Sequence, residues 1–199
     1  MTCIAVLRDK KSSLWFASDR RLSSDHNIIS SNEPKTKLLN NILVSGAGTA
    51  WICDLILERY EFPTIENDDP ENFWAHNVLY PDLLRWLREE GYVDKGGIKL
   101  NTGASKGKED REEEYAIMLI GANSALFELT IGESSISITK VDTPYATGCG
   151  GSYALGSLRT TEKMKMKVKD RLKLACEVAA QCSSGCDDRI DILTNKGLF

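Results

Sequence analysis

Apolar positions in this chain come in short runs whose spacing changes from place to place. Residues 2–7 and 14–17 are apolar and rich in β-branched and aromatic side chains, and a polar segment at 8–13 separates them. This predicts a β-hairpin. A polar stretch follows at 20–37, and residues 42–45 then read as a third strand that stops at Gly46-Ala47-Gly48. Thr49 stands as an N-cap before Trp51, Ile52, Leu55 and Ile56, whose spacing is helical. A second helix is predicted over 72–90 from Phe73, Trp74, Val78, Leu83, Leu84 and Leu87, with Pro81 as a kink or break.

Residues 91–114 are polar and charged and predict a mobile loop or an extended hairpin tip. Three strand-like runs at 115–121, 125–130 and 135–141, with turn residues between them, predict an antiparallel meander. Gly148-Cys149-Gly150-Gly151 then leads into a helix of small residues reaching Thr160. Alternating lysines at 163–169 connect to a helix carrying Leu172, Ala175, Cys176, Val178 and Ala179, and 190–193 is the last strand. Strands and helices therefore come in blocks rather than in βαβ alternation, the pattern of an α+β chain with helices outside packed antiparallel sheets.

The chain has 199 residues, 42% hydrophobic and 27% charged, which suits one globular domain over 1–199 with a full core. With a net charge of −4 there is no overall field to attract a nucleic-acid backbone or an anionic membrane. The apolar runs are far shorter than the roughly 18 to 20 residues that cross a bilayer. The first residues lack the features of a secretory leader, so a cytoplasmic location is expected and the six cysteines are expected to be thiols.

Thr2 is the first candidate for chemistry. Removal of Met1 would expose an α-amine, with a reference pKa of about 7.7 to 8.0, beside a hydroxyl for which it could act as base. Met-Thr is also simply a common start. Asp19 and Lys35 could serve such a hydroxyl, or could be an ordinary surface ion pair. The glycines at 148–151 lack the Gly-Lys-Ser/Thr ending of a phosphate loop. Cys149, Cys176, Cys182 and Cys186 give no Cys-x-x-Cys pair, and His26 and His76 lie far away in sequence, so neither zinc nor another cofactor is expected.

Thr2-Cys-Ile-Ala-Val-Leu, Phe16-Ala-Ser-Asp19-Arg20-Arg21, Pro34-Lys35, Ile42-Leu-Val-Ser-Gly-Ala-Gly48 and Gly148-Cys-Gly-Gly151 occur in this order. Together they resemble the proteasome β-subunit family, including the bacterial peptidase that works with a ring ATPase. The resemblance is weakest at 62–114. It implies the N-terminal-nucleophile (Ntn) hydrolase fold, a four-layer αββα sandwich of two antiparallel sheets with helices on both outer faces. It also implies a threonine endopeptidase that cuts unfolded polypeptide inside a ring homo-oligomer, fed by an ATPase unfoldase.

On that resemblance Thr2 is the nucleophile, Asp19 the family's carboxylate, and Lys35 the lysine whose charge tunes the attacking group, with Lys37 as its rival. Gly48 matches the glycine whose N–H helps bind the oxyanion. Arg21, Ser23 and Thr49 match substrate-lining regions. Two departures stand out. Cys149 replaces a supporting serine, and the family's Asp-x-x-Ser before the last strand falls on Ser183 and Cys186, with Asp187 or Ser184 as possible stand-ins. A non-catalytic ring subunit and an Ntn amidase acting on a small amide are the other readings.

Overall fold

The computed structural model describes residues 2–24, 27–30, 33–65, 70–94, 97–98, 115–132, 135–195 and 197–198, with 23–24, 27–30, 94, 97–98 and 197–198 described as backbone only. Its strands in chain order are β1 (Ile4–Arg8), β2 (Leu14–Asp19), β3 (Arg21–Ser24), β4 (Asn27–Ser30), β5 (Thr36–Leu39), β6 (Ile42–Gly48), β7 (Val93–Asp94) and β8 (Gly97–Ile98). These are followed by β9 (Ala116–Ala122), β10 (Ala125–Ile131), β11 (Ile136–Val141), β12 (Tyr145–Thr147), β13 (Ile190–Thr194) and β14 (Gly197–Leu198). The α-helices are α1 (Ala50–Arg59), α2 (Glu71–Phe73), α3 (Tyr80–Glu89), α4 (Gly151–Thr160) and α5 (Val168–Cys182).

One sheet has the order β12-β1-β2-β13-β14 and the other β11-β10-β9-β6-β5, and every pairing is antiparallel. Alternation along β1 explains the layering. Ile4 and Val6 face the second sheet and pack with Phe16, Leu43, Leu119 and Leu126, whereas Cys3, Ala5 and Leu7 face α4 and α5. On the far side, Ile42, Val44, Met118 and Ile120 of the second sheet pack against Ile52 and Ile56 of α1 and Leu83 and Leu87 of α3. The result is the αββα sandwich expected from the block order of the elements.

Several elements differ from the sequence expectation. The polar stretch 20–37 contains the β3–β4 pair and the start of β5, and β12 pairs with β1 at Thr147 opposite Ile4. These strands are too short or too polar to show a period. The second helix is continuous rather than broken at Pro81: α2 runs into a π-helical stretch at Trp74–Leu79 and then into α3, with Pro81 in the first turn of α3. Proline offers no N–H to the preceding turn, and the wider turn accommodates it, with the Tyr80 N–H reaching back to the Ala75 carbonyl. Thr49 precedes α1 as foreseen but makes no side-chain capping bond. Of the segment 91–114, residues 95–96 and 99–114 lie outside the described residues.

Phe16 is fully buried between the sheets, where a side chain on Gly121 of β9 would meet its ring edge at 2.9 Å. Phe16→Ala should lower stability by about 3–5 kcal/mol, the cost of an unfilled aromatic site in a core. Urea unfolding followed by far-UV circular dichroism checks this, and an unchanged midpoint would contradict it.

Candidate active site

The site grows from four strand ends on one edge of the sandwich. β1 runs antiparallel to β2 with Ile4 opposite Ser18, so Thr2 at the start of one strand lies near Asp19 at the end of the other. β5 runs antiparallel to β6 with Thr36 opposite Ser45, which brings Lys35 back beside Gly46. A chain of buried hydroxyls links the two pairs: Thr36 Oγ1 lies 2.9 Å from both Ser18 Oγ and Ser45 Oγ, and Ser45 Oγ donates to the Lys35 carbonyl at 3.1 Å. The register of the sheets thus assembles the residues that the sequence spreads over positions 2 to 48.

Asp19 is fully buried and accepts four hydrogen bonds. The Cys3 N–H (2.9 Å) and Lys35 Nζ (2.9 Å) donate to Oδ1, and the Arg21 N–H (3.0 Å) and Asp187 N–H (3.1 Å) donate to Oδ2. Lys37 instead pairs with Glu58 of α1. The structure therefore separates the two lysines: Lys35 joins Asp19, and Lys37 joins the helix. The Asp187 carboxylate is held well below the usual carboxylate range by its hydrogen bonds with the Arg189 guanidinium and backbone. It bonds Arg189 rather than Thr2, and only its backbone N–H enters the Asp19 network.

Thr2 is almost fully buried, with 5% of its surface exposed. Its N–H lies 3.3 Å from Cys149 Sγ, and its carbonyl accepts the Gly150 N–H at 3.2 Å and the Cys149 thiol at 3.5 Å. Gly148 makes this contact possible. Its φ of +86° is unfavourable for other residues, and a Cβ there would collide with the Thr2 carbonyl oxygen. Cys149 also lies 3.5 Å from Ser183 Oγ and 3.8 Å from Cys186 Sγ. Ser183 and Cys186, the positions on which the family's Asp-x-x-Ser falls, thus join this cluster although the sequence offers neither as a site residue.

Beside Thr2 lies a cavity of about 380 Å³, lined by Thr2, Lys35, Lys37 and Gly46–Gly48 on the sheet side and by Cys53, Asp54, Leu57 and Glu58 of α1. Gly46 sets the helix this close, since a Cβ there would lie 2.8 Å from Cys53 Cβ. Gly48 ends β6 with φ +105°, and a Cβ would run into the Tyr115 carbonyl. Burial, the nearby Glu58 and a weaker opposing Lys37 leave Asp54 with a raised pKa, and burial and Asp54 push the Cys53 thiol up to about 12. The α1 residues had no sequence signal beyond helical spacing.

Of the expected substrate-lining residues, neither Arg21 nor Thr49 lines this cavity. Arg21 Nη1 donates to the Cys186 carbonyl at 2.9 Å, and Arg21 lines a separate hollow with Asp187 and Asp188. The Thr49 N–H donates to the Tyr115 carbonyl at 2.8 Å at the start of α1, between the lining residues Gly48 and Ala50. The Ser23 side chain lies outside the described residues. Among the described residues no three of His, Cys, Asp and Glu are grouped to hold a metal ion, and no helix is long and apolar enough to cross a membrane.

The sandwich with this strand order and helix placement is the Ntn-hydrolase fold. Solved structures share this fold over nearly the whole chain. BPH from Thiobacillus denitrificans in complex with Epoxomicin is 17% identical with a TM-score of 0.68, covering 98% of this chain and 97% of that one. Another structure of the same BPH is 18% identical with a TM-score of 0.68, at the same coverage. HslV from Trypanosoma brucei is 14% identical with a TM-score of 0.64, covering 98% of each chain. No family model matches the chain, and no curated protein matches it.

Asp19→Ala would remove a fully buried carboxylate that accepts from the partly buried Lys35 ammonium and from three backbone N–H groups. It should destabilise the protein by about 3–5 kcal/mol, the usual cost of breaking one side of a buried ion pair. Chemical denaturation measures this, and a loss below about 1 kcal/mol, the range of a surface pair, would show that Asp19 does not hold these elements together.

Proposed function

We propose that the chain is an N-terminal threonine endopeptidase. The reading is carried by one observation: Thr2, the Asp19-bound Lys35 and Gly48 meet at a single cavity large enough for a substrate side chain. With Met1 removed, Thr2 Oγ attacks the peptide carbonyl carbon and its own α-amine takes the hydroxyl proton. Lys35, held by Asp19, stabilises the negative charge that develops at the attacking oxygen. The Gly48 N–H helps bind the oxyanion. The amine returns the proton to the leaving nitrogen, and water then releases the acyl group from Thr2.

No group in this scheme needs a cofactor. The shared fold supports a ring homo-oligomer that acts on unfolded polypeptide delivered by an ATPase unfoldase in the cytoplasm. Enclosure in a ring would keep a broad peptidase from folded proteins.

The deciding experiment is intact-protein mass spectrometry before and after epoxomicin, the compound held in the T. denitrificans complex. Expected results are a mass lower by one methionine residue and an adduct that Thr2→Ala abolishes. Retained Met1 with no adduct in folded protein would reject the reading and leave a non-catalytic ring subunit. Lys35→Ala should lower kcat/KM by about 10²–10⁴, the range for a lost proton-transfer or charge-stabilising group.

The cavity beside Thr2 would receive the side chain that precedes the scissile bond. It carries an acidic excess: Lys35 is committed to Asp19 and Lys37 to Glu58, while Asp54 has no ion-pair partner among the described residues. Asp54→Asn should therefore lower kcat/KM for substrates with lysine or arginine there by about fivefold, the ~1 kcal/mol ceiling of a solvent-reached pair. Neutral substrates should change little. Equal losses for both in a fluorogenic peptide series would remove Asp54 from selectivity.

A further inference from the structure

We propose that Cys149 and Cys186 are a dithiol modification site that hydroperoxide closes to a disulfide, and that closure disarms Thr2. The functional half of this inference rests on the reading of Thr2 as the nucleophile. Bond formation itself does not. The two sulfurs already touch at 3.8 Å, although 37 residues separate them in sequence. A disulfide needs about 2.0 Å, so closure draws the two sulfurs together. Gly150 leaves the room: a Cβ there would lie 2.5 Å from Cys186 Sγ, so the thiol occupies space that any other residue would fill.

Exposure orders the steps. Cys149 is exposed, whereas Cys186 is 2% exposed. The Cys149 sulfur therefore meets the oxidant first. It attacks one oxygen of the hydroperoxide, the O–O bond breaks, and a sulfenic acid forms as an alcohol, or water from hydrogen peroxide, departs. The Cys186 sulfur then displaces the hydroxyl, which leaves as water, and the S–S bond forms. Two thiols lose two electrons and two protons, and the peroxide is reduced by two electrons.

The site is slow by construction. Its contact with Cys186, together with burial, holds the Cys149 thiol well above the ordinary thiol range. The Cys186 thiol is drawn down by Cys149, but Cys3 and burial outweigh this and push it up to about 11. With so little thiolate at neutral pH, the pair should respond to sustained rather than trace peroxide.

Coupling to Thr2 follows from the same sulfur. Cys149 Sγ lies 3.3 Å from Thr2 N and donates to the Thr2 carbonyl at 3.5 Å. In a disulfide it has no proton to donate to the Thr2 carbonyl. The nucleophile would lose the hydrogen bond that holds its carbonyl.

The test treats the full-length chain with hydrogen peroxide, blocks free thiols with N-ethylmaleimide, and maps peptides without reduction. A linked Cys149–Cys186 peptide pair is expected, reversed by dithiothreitol, lost in both Cys149→Ser and Cys186→Ser, and kept in Cys182→Ser. The rate of epoxomicin labelling should fall at least tenfold on oxidation and return on reduction. Alkylated Cys149 and Cys186 after peroxide, or links from either cysteine to Cys3, Cys176 or another chain, would overturn the site. Linkage with an unchanged labelling rate would overturn the coupling. If the reduced protein is never labelled, the peptidase reading fails, while the peptide map still decides the dithiol.

Discussion

The buried carboxylate of Asp19 is the constraint on which the site depends. A charge removed from water costs several kcal/mol unless its lone pairs are filled, and here three backbone N–H groups and one ammonium fill them. Each donor comes from a different part of the chain: the residue before β1, the first residue of β3, the loop before β13 and the residue before β5. Satisfying one side chain therefore fixes the chain beside Thr2 and the position of Lys35.

Around this anchor, the two sheets are held at the site by hydroxyls and farther in by apolar packing. Ser18, Thr36 and Ser45 are buried, and their mutual bonds replace the water they lost. Behind them Ile4, Val6, Phe16, Leu43 and Leu119 exclude solvent. The polar end of the sandwich is thus no defect in the core. It is the place where strands stop, backbone groups become available, and short side chains leave space for the cavity beneath α1.

The thiols change the character of the site rather than its shape. Cys149 touches the nitrogen and the carbonyl of Thr2, and Cys186 fills the hollow over Gly150. Sulfur makes longer and weaker hydrogen bonds than a hydroxyl does. The surroundings of the Thr2 nitrogen are therefore softer and more apolar. Ser183, a neighbour of Cys149, is the hydroxyl that remains in this cluster.

By itself the sequence determined the layers. The unbroken apolar run at residues 4–7 reports a strand buried on both faces, and helical spacing after Gly48 reports burial on one, because the hydropathy pattern and the buried faces are the same property seen twice. The order Thr2, Asp19, Lys35, Gly48 was legible as a pattern. The tertiary structure decided what meets what. Two lysines two residues apart look alike in sequence, yet only the stacking of the sheets sends Lys35 to Asp19 and Lys37 to Glu58. β12 acquires its strand from β1, and Cys186 reaches Cys149 across 37 residues. Contacts between distant polar groups depend on register and layer packing, and neither leaves a periodic trace in the chain.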